Sequence, residues 1–166
     1  MVYLNGAEVV RSNMPAGTIT YQTLASTGIG DADETAYTSY SVPVAALTAG
    51  TNVLAVEVHQ NVVTSSDLGF DLELKGQSTN PATATATNTP AVPTSTPTAT
   101  NTPAGSTNTL VATASTWKYL DNGSDQGTAW QSPAFTDTSW ASGAAPLGYG
   151  DPMTTIINGG PTNNRY

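Results

Sequence analysis

Residues 78–106 read STNPATATATNTPAVPTSTPTATNTPAGS, and the rest of the chain is organised on either side of them. The stretch has no charged residue, no aromatic residue and almost no large aliphatic residue. Such a segment cannot bury enough apolar surface to offset the conformational entropy that it loses on ordering. The sequence therefore predicts a β-rich segment at 1–77, a Thr/Pro/Ala-rich linker at 78–106 and a second β-rich segment at 107–166.

The overall composition favours a protein located outside the cell or on its surface. Only 10% of the residues are charged, whereas cytosolic enzymes usually have surfaces rich in Lys and Glu. The formal net charge is −8 and the four basic residues are scattered, so neither nucleic acid nor an anionic membrane is an expected partner. The absence of cysteine excludes disulfides and thiol catalysis. No apolar run approaches the ~20 residues that a membrane span needs.

Alternating apolar and polar residues predict short β-strands on both sides of the linker. Residues 1–10 (MVYLNGAEVV) predict a hairpin, because Asn5-Gly6 is a dipeptide favoured in type I′ turns. Further strands are expected at 18–24, 37–44, 52–59, 68–75, 108–120 and 144–151. No window shows a convincing helical period. This pattern predicts an all-β fold, either an antiparallel β-sandwich or a jelly roll.

Residues 116–140, TWKYLDNGSDQGTAWQSPAFTDTSW, followed by PLGYGD at 146–151, resemble the opening half of galactose-binding-like jelly-roll modules. These modules are β-sandwiches found on glycoside hydrolases and on large secreted bacterial proteins. Residues 1–76, with VYLNGAEVVRSNMP, GTNVLAVEVHQ and a terminal FDLELKG, resemble the closing half. The resemblance implies one module type whose halves occur here in reverse order. The family also carries strands between the two halves that have no counterpart in this chain.

A half-sandwich leaves strand edges unpaired and one apolar face uncovered. The residues expected on that face are Leu54, Val56, Val58, Phe70, Leu72, Leu74, Trp117, Tyr119 and Trp140. The halves could close on each other within one chain, pair head to tail with neighbouring copies, or belong to a tandem array. We expect a non-catalytic structural or adhesive repeat that assembles with copies of itself into a filament or surface array. The alternative is a carbohydrate-binding accessory module of a secreted hydrolase.

Two groups of residues are candidates for binding ligands. Asp31, Asp33 and Glu34 lie in a Gly-flanked loop, and oxygen ligands on a loop suit a structural Ca²⁺. A solvated acidic turn is the alternative for these three residues. Trp130 and Tyr149 are candidates for stacking on a sugar ring, the alternatives being a core residue and a strand-edge aromatic.

Other polar residues have structural interpretations. Residues 121–125 lack the spacing of an EF-hand loop, so an Asx-type turn is expected there. His59, the one histidine, shares a predicted strand face with Glu57, but no nucleophile motif accompanies them and no enzyme is expected. The linker is typical either of an O-glycosylated stalk or of an unmodified extended spacer. Its candidate acceptors are Thr83, Thr85, Thr87, Thr89, Thr94, Thr96, Thr98, Thr100 and Thr102.

Overall fold

The computed structural model describes residues 1–78 and 105–161, and these residues form an all-β structure without α-helix. The strands in chain order are β1 (Val2–Leu4), β2 (Ala7–Val10), β3 (Leu54–Val56), β4 (Leu68–Phe70), β5 (Leu74–Ser78), β6 (Ser106–Val111), β7 (Thr116–Tyr119), β8 (Ala141–Ala144), β9 (Leu147–Tyr149) and β10 (Thr155–Ile156). Short 3-10 helices lie at Asp31–Thr35, Val44–Ala46 and Ala129–Gln131. No helix in the described part is long and apolar enough to cross a bilayer.

The strands pair in four small sheets, with the orders β2-β1-β3, β10-β9-β4, β5-β6 and β7-β8. The pairing is antiparallel except between β10 and β9. The all-β class expected from the sequence is confirmed. The arrangement of these sheets into a sandwich or jelly roll stays a prediction.

The chain divides into two compact units, one combining Met1–Asp71 with Ala114–Tyr166 and the other comprising Leu72–Thr113. Within the second unit, β5 and β6 pair in a register that places Ser78 opposite Ser106. The two ends of the stretch predicted as a linker are therefore cross-strand neighbours.

The first unit joins residues from both sides of that stretch. Strand β4 pairs with β9, with Gly69 opposite Gly148, and the ring of Tyr3 lies 5.6 Å from that of Trp130. A side chain at Gly148 would collide with the carbonyl oxygen of Leu68, so this close approach of two strands needs a glycine. Residues from both sides of the stretch therefore pair within this chain.

The hairpin of β1 and β2 is confirmed, and its turn has the expected backbone. Asn5 and Gly6 have φ values of 54° and 85°, so both central residues have the positive φ of a type I′ turn. Asn5 Nδ2 donates to the Ala46 carbonyl oxygen at 2.9 Å and to Asn52 Oδ1 at 2.7 Å. Asn5 Oδ1 accepts from the amide of Val53 at 2.9 Å. The turn therefore anchors the segment that leads into β3.

Several predicted strands are absent or interrupted. Residues 18–24 and 37–43 pair with no strand in the described structure, and their aromatic side chains, such as Tyr37, are exposed. The segment 68–75 is interrupted at Asp71, whose carboxylate accepts from the Ala114 amide at 3.2 Å and from Tyr37 Oη at 2.7 Å. The segment 108–120 is interrupted near Ala114, which has a φ of 59°. The backbone turns at both interruptions, so each predicted long strand becomes two short ones.

The buried face of β3 is the opposite of the predicted one. Ala55, rather than the larger neighbours Leu54 and Val56, lies in the core, and Val58 lies beyond the strand with 44% of its surface exposed. Ala55 is opposite Tyr3 in the register, and the Tyr3 ring packs against Trp130 in that layer. A small residue faces the core here because two large rings already occupy the space.

Candidate functional site

A cavity of about 700 Å³ lies within the first unit and is walled by aromatic rings. The rings come from β1, β4 and β7, from the segment that follows β7 and from the loop after β2; they belong to Tyr3, Tyr21, Phe70, Trp117, Tyr119, Trp130, Phe135 and Trp140. All three tryptophans of the sequence line it, and none of them is fully buried. A concave space of this size that is partly lined by aromatic rings is typical of a small-ligand site.

Three edge-to-face ring pairs hold the tryptophans in position. Tyr3 and Trp130 have centroids 5.6 Å apart, and Phe135 and Trp140 have centroids 5.5 Å apart. Phe70 and Trp117 lie 5.1 Å apart at an interplanar angle of 78°. Because aromatic pairs of this geometry attract beyond their buried area, the rings are packed like core residues while still lining open space. Trp130 also donates from Nε1 to the Gly127 carbonyl oxygen at 3.0 Å.

A polar cluster around Glu57 lies in the wall of the cavity. Tyr3 Oη donates to Glu57 Oε1 at 2.5 Å, and His59 Nε2 lies 3.4 Å from Glu57 Oε2. Burial acts to raise the pKa of Glu57, but the contacts with His59 and Tyr3 outweigh it and the pKa is lowered. Burial and the hydrogen bond to Glu57 both raise the pKa of Tyr3, which therefore stays a neutral donor.

Two buried side-chain nitrogens in the described residues have no hydrogen-bond partner, His59 Nε2 and Trp117 Nε1. At 3.4 Å the contact of His59 with Glu57 is within ion-pair distance, but it lacks the alignment of a hydrogen bond. Both residues line the cavity. Unpaired buried polar groups are rare in folded proteins, so these two nitrogens are exceptional among the described residues.

One rim of the cavity is the turn at residues 121–127. Asn122 Oδ1 accepts from the amide and the hydroxyl of Ser124, at 3.0 and 2.6 Å, and Asp125 Oδ1 accepts from the Gly127 amide at 2.8 Å. The Asx-type turn expected from the sequence is confirmed. Asp121 Oδ2 accepts from the amide of Asn158 at 2.6 Å, which ties the turn to the chain after β10.

The candidate calcium ligands are only partly brought together. Glu34 meets Asp67 and Asp151, and carboxylate oxygens of these three residues lie within 4.8 Å of one another. Asp33, predicted as a ligand, is not in this group, and the side chain of Asp31 lies outside the described residues. Oxygen donors from three separate segments suit Ca²⁺ chemically, but exposed acidic groups often meet without an ion. The calcium site stays a prediction, with Glu34 as the shared residue.

Tyr149 is not available for stacking on a sugar, contrary to the prediction. Only 6% of its surface is exposed, and a Cβ at Gly159 would collide with its ring, so backbone covers one ring face. Its Oη accepts from Gln60 Nε2 at 2.5 Å. Tyr149 is therefore a core residue, because its polar end is paired inside the protein.

The remaining predicted residues have mixed environments. Those expected on the uncovered face are half-buried, apart from the exposed Val58: Leu54, Val56, Phe70, Leu72, Leu74, Trp117, Tyr119 and Trp140. The candidate glycosylation sites Thr83 to Thr102 lie outside the described residues. The sequence interpretation missed Tyr3 as a cavity residue and treated His59 as an ordinary strand-end residue. The i, i+2 spacing of Glu57 and His59 was the signal in the sequence that pointed to them.

No family model matches the chain, and neither a curated protein nor a solved structure was found to match it. The resemblance to galactose-binding-like modules therefore rests on the sequence motifs and stays a prediction.

Proposed function

We propose that this chain is a non-catalytic extracellular module that binds carbohydrate in its aromatic cavity. The observation that carries the proposal is the cavity of about 700 Å³ lined by Trp117, Trp130 and Trp140, none of which is fully buried. The C–H faces of a pyranose ring are apolar and pack on indole faces, while its hydroxyl groups need polar partners at the edge. The cavity offers both kinds of surface.

The charges around the cavity favour a neutral ligand over an anion. Five carboxylates and two basic side chains line it: Glu8, Glu57, Asp121, Asp125, Asp137, Arg11 and Lys118. Arg11 is already paired with Glu8 at 2.7 Å, and this contact lowers the pKa of Glu8. The remaining excess of negative charge would repel a carboxylate or phosphate ligand. An uncharged sugar carries no such penalty.

The extracellular location and the sandwich fold belong to the same proposal. The low content of charged residues suits a secreted β-protein better than a cytosolic enzyme, whose surface is usually richer in Lys and Glu. The four small sheets and the motif at 116–140 are compatible with a galactose-binding-like jelly roll in which the two halves close on each other within the chain. The absence of a catalytic role is inferred from the lack of any nucleophile motif in the sequence.

The experiment is a titration of the chain with cellotetraose, xylotetraose and methyl β-D-galactopyranoside, followed by calorimetry and tryptophan fluorescence. We expect at least one of these sugars to bind and to change the fluorescence. Trp130→Ala should weaken binding by about tenfold or more, since a stacked indole contributes on the order of 1.4 kcal/mol. Tyr40→Ala is the control, because Tyr40 is an exposed aromatic outside the cavity.

Circular dichroism of both variants checks that each is folded. Lack of binding by all three sugars would overturn the proposal. Equal binding by wild type and a folded Trp130→Ala variant would move the site away from the cavity.

Strand-mediated assembly with copies of the same chain is the second candidate function. It is favoured by the outer strand β10, which carries an Ile156 that is 66% exposed. Such edges pair readily with a strand of another chain. Sedimentation velocity over a wide concentration range distinguishes the two functions. Concentration-dependent oligomers that Ile156→Lys abolishes would support assembly, and a monomer at every concentration would exclude it.

A further inference from the structure

The chain contains three Asn-Gly pairs, at residues 5–6, 122–123 and 158–159, and all three lie in the described part. An asparagine followed by glycine is open to an internal reaction. Glycine has no side chain that would block the approach of its own backbone nitrogen to the amide carbon of the asparagine. The three pairs are alike in sequence, but the structure gives each of them a different environment.

The first pair is held at both ends of the asparagine amide. Asn5 Nδ2, the nitrogen that would have to leave, donates to the Ala46 carbonyl oxygen at 2.9 Å and to Asn52 Oδ1 at 2.7 Å. Asn5 Oδ1 accepts from the Val53 amide at 2.9 Å. A rotation of this amide toward the backbone of Gly6 would break all three hydrogen bonds, so the first pair is protected.

The third pair is restrained by packing. Gly159 is buried, and a Cβ at this position would collide with the ring of Tyr149, so the glycine backbone lies directly against that ring. The Asn158 amide donates to Asp121 Oδ2 at 2.6 Å, and Asn158 Oδ1 accepts from the Gly160 amide at 3.1 Å. Closing a ring between Asn158 and Gly159 requires the backbone to change shape, and the packing against Tyr149 opposes that change.

The middle pair has neither restraint. Asn122 is exposed, and the described residues offer no hydrogen bond to its Nδ2 atom or to the Gly123 amide. Asn122 Oδ1 instead accepts from the amide of Ser124 at 3.0 Å and from its hydroxyl group at 2.6 Å. Gln126 Nε2 donates to that hydroxyl oxygen at 2.7 Å, which orients the hydroxyl group. The leaving nitrogen is therefore free, while two donors hold the amide oxygen.

We propose that Asn122 is a site of spontaneous deamidation that the turn itself promotes. The backbone nitrogen of Gly123 loses its proton to hydroxide and attacks Cγ of Asn122. The bond from Cγ to Nδ2 breaks, and this nitrogen leaves as ammonia after taking a proton from water. The two donors of Ser124 stabilise the negative charge that Oδ1 carries in the tetrahedral intermediate. Water then opens the cyclic imide on either side, which gives aspartate or isoaspartate.

The two products have different effects on the rim of the aromatic cavity, which Asn122 lines. Aspartate keeps an acceptor for both bonds from Ser124 and adds a negative charge to a turn that already contains Asp121 and Asp125. Isoaspartate lengthens the backbone of the turn by one carbon and so removes the geometry of these bonds. This inference goes beyond the proposed carbohydrate binding and does not rest on it.

The test is incubation of the purified chain in mildly alkaline buffer, followed by peptide mass spectrometry and labelling with an isoaspartate-specific methyltransferase. We expect Asn122 in the folded protein to convert at least about tenfold faster than Asn5 or Asn158. In concentrated urea the three asparagines should convert at similar rates, because unfolding removes the restraints on the other two. Equal rates at the three sites in the folded protein, or conversion of Asn122 only in urea, would overturn the proposal.

Two matched variants test the contribution of the Ser124 hydroxyl group. Ser124→Ala removes one of the two donors to Oδ1, and we expect conversion at Asn122 to slow by about threefold or more. Ser124→Thr keeps a hydroxyl group and should convert at close to the wild-type rate. If Ser124→Ala converted as fast as wild type, the turn would not promote the reaction and the proposal would be wrong. The comparison of the three sites in wild-type protein is decisive even if a variant fails to fold.

Discussion

Asn5 both donates and accepts hydrogen bonds, and a carboxylate at this position cannot do both. Its Nδ2 group donates to Ala46 and Asn52, and its Oδ1 atom accepts from the amide of Val53. Asn5→Asp replaces the donor with an oxygen that faces two other oxygens. We expect the free energy of unfolding to fall by about 2 kcal/mol, as measured by urea denaturation.

Asn122→Asp is the matched control for this substitution. Asn122 uses its Oδ1 atom to accept two hydrogen bonds from Ser124, and a carboxylate oxygen accepts them equally well. We expect a change in the free energy of unfolding below about 0.5 kcal/mol. Equal losses at the two positions would contradict the donor role of Asn5.

Because the pKa of Glu57 is lowered in the folded protein, we expect the protein to lose stability as the pH falls into the acid range. Contacts with His59 and Tyr3 hold the pKa below the ordinary value of 4.5, although burial opposes them. A carboxyl group of this kind adds stability above its unfolded pKa and loses that contribution as pH falls through the folded pKa. We expect the melting temperature of the wild type to fall below pH 4.5 more steeply than that of Glu57→Gln. Glu73→Gln, which alters an exposed ion pair with Lys75, should follow the wild-type profile.

Coincident melting profiles of wild type and Glu57→Gln across this acid range would show that the contacts of Glu57 do not contribute to stability. The contribution of Glu57 to stability changes only below its ordinary pKa. Near neutral pH, we therefore expect the melting temperatures of wild type and Glu57→Gln to depend on pH in the same way.

Glu34, Asp67 and Asp151 place three negative charges close together. Like charges at this separation repel each other, so Asp151→Asn should raise the melting temperature in EDTA. The predicted calcium site has a direct test in the same variant. Millimolar CaCl₂ should raise the melting temperature of the wild type and have a smaller effect on Asp151→Asn. If calcium changed the melting temperature of neither protein, the predicted calcium site would be wrong. The three carboxylates would then only repel one another.

At the scale of the elements, the ladder between β4 and β9 depends on the absence of a side chain at Gly148. A Cβ there would meet the backbone of Leu68, which cannot move aside as a side chain can. We expect Gly148→Ala to lower the free energy of unfolding by about 3 kcal/mol, measured by chemical denaturation. Gly76→Ala in β5 is the control, because its nearest neighbour is the flexible end of Leu110 at 3.4 Å. Similar losses in the two variants would show that the approach of β4 and β9 is not tight.

A strand or turn could be predicted from the sequence where the residues that cause it are neighbours in the chain. The hairpin at residues 1–10 is set by Asn5-Gly6, a turn whose backbone requirement is visible in two adjacent residues. The segment at 37–44 alternates correctly but has no partner strand, and pairing is a property of the rest of the chain. The interruption at Asp71 depends on an amide 43 residues away, at Ala114. A contact between residues so far apart in the chain cannot be predicted from the alternation of neighbouring residues.

The candidate site was harder to predict than the fold class. The importance of Trp130 could be seen from its position beside a turn, but its packing on Tyr3 joins residues that are remote in sequence. His59 gained its interest only when the structure showed its Nε2 atom buried and unpaired. The choice of Ala55 over Leu54 for the core likewise depended on the rings that face it. Sequence indicates residue types for a site, while burial and pairing identify which of them form it.

At the scale of the whole molecule, residues before and after the low-complexity stretch belong to one folded unit. A protease site inserted between residues 90 and 91 should therefore be cleaved without separating the two products. The ladder of β4 with β9 and the ring pair of Phe70 with Trp117 join them. We expect one particle of unchanged size by size-exclusion chromatography and two bands on a denaturing gel. Two separately eluting folded products would contradict closure within one chain.

The neighbouring positions of Ser78 and Ser106 make that end of the β5–β6 strand pair a permissive graft point. A polypeptide whose own termini lie close together can be inserted there. The two attachment sites, Ser78 and Ser106, are already only the distance between paired strands apart. A longer insert should lower the free energy of unfolding only slightly, because each doubling of a flexible loop adds only about 0.6 kcal/mol of closure entropy. An epitope, a fluorescent reporter or an entire enzyme could thus be displayed from this module, with its cargo changed while the ladder that carries it stays the same.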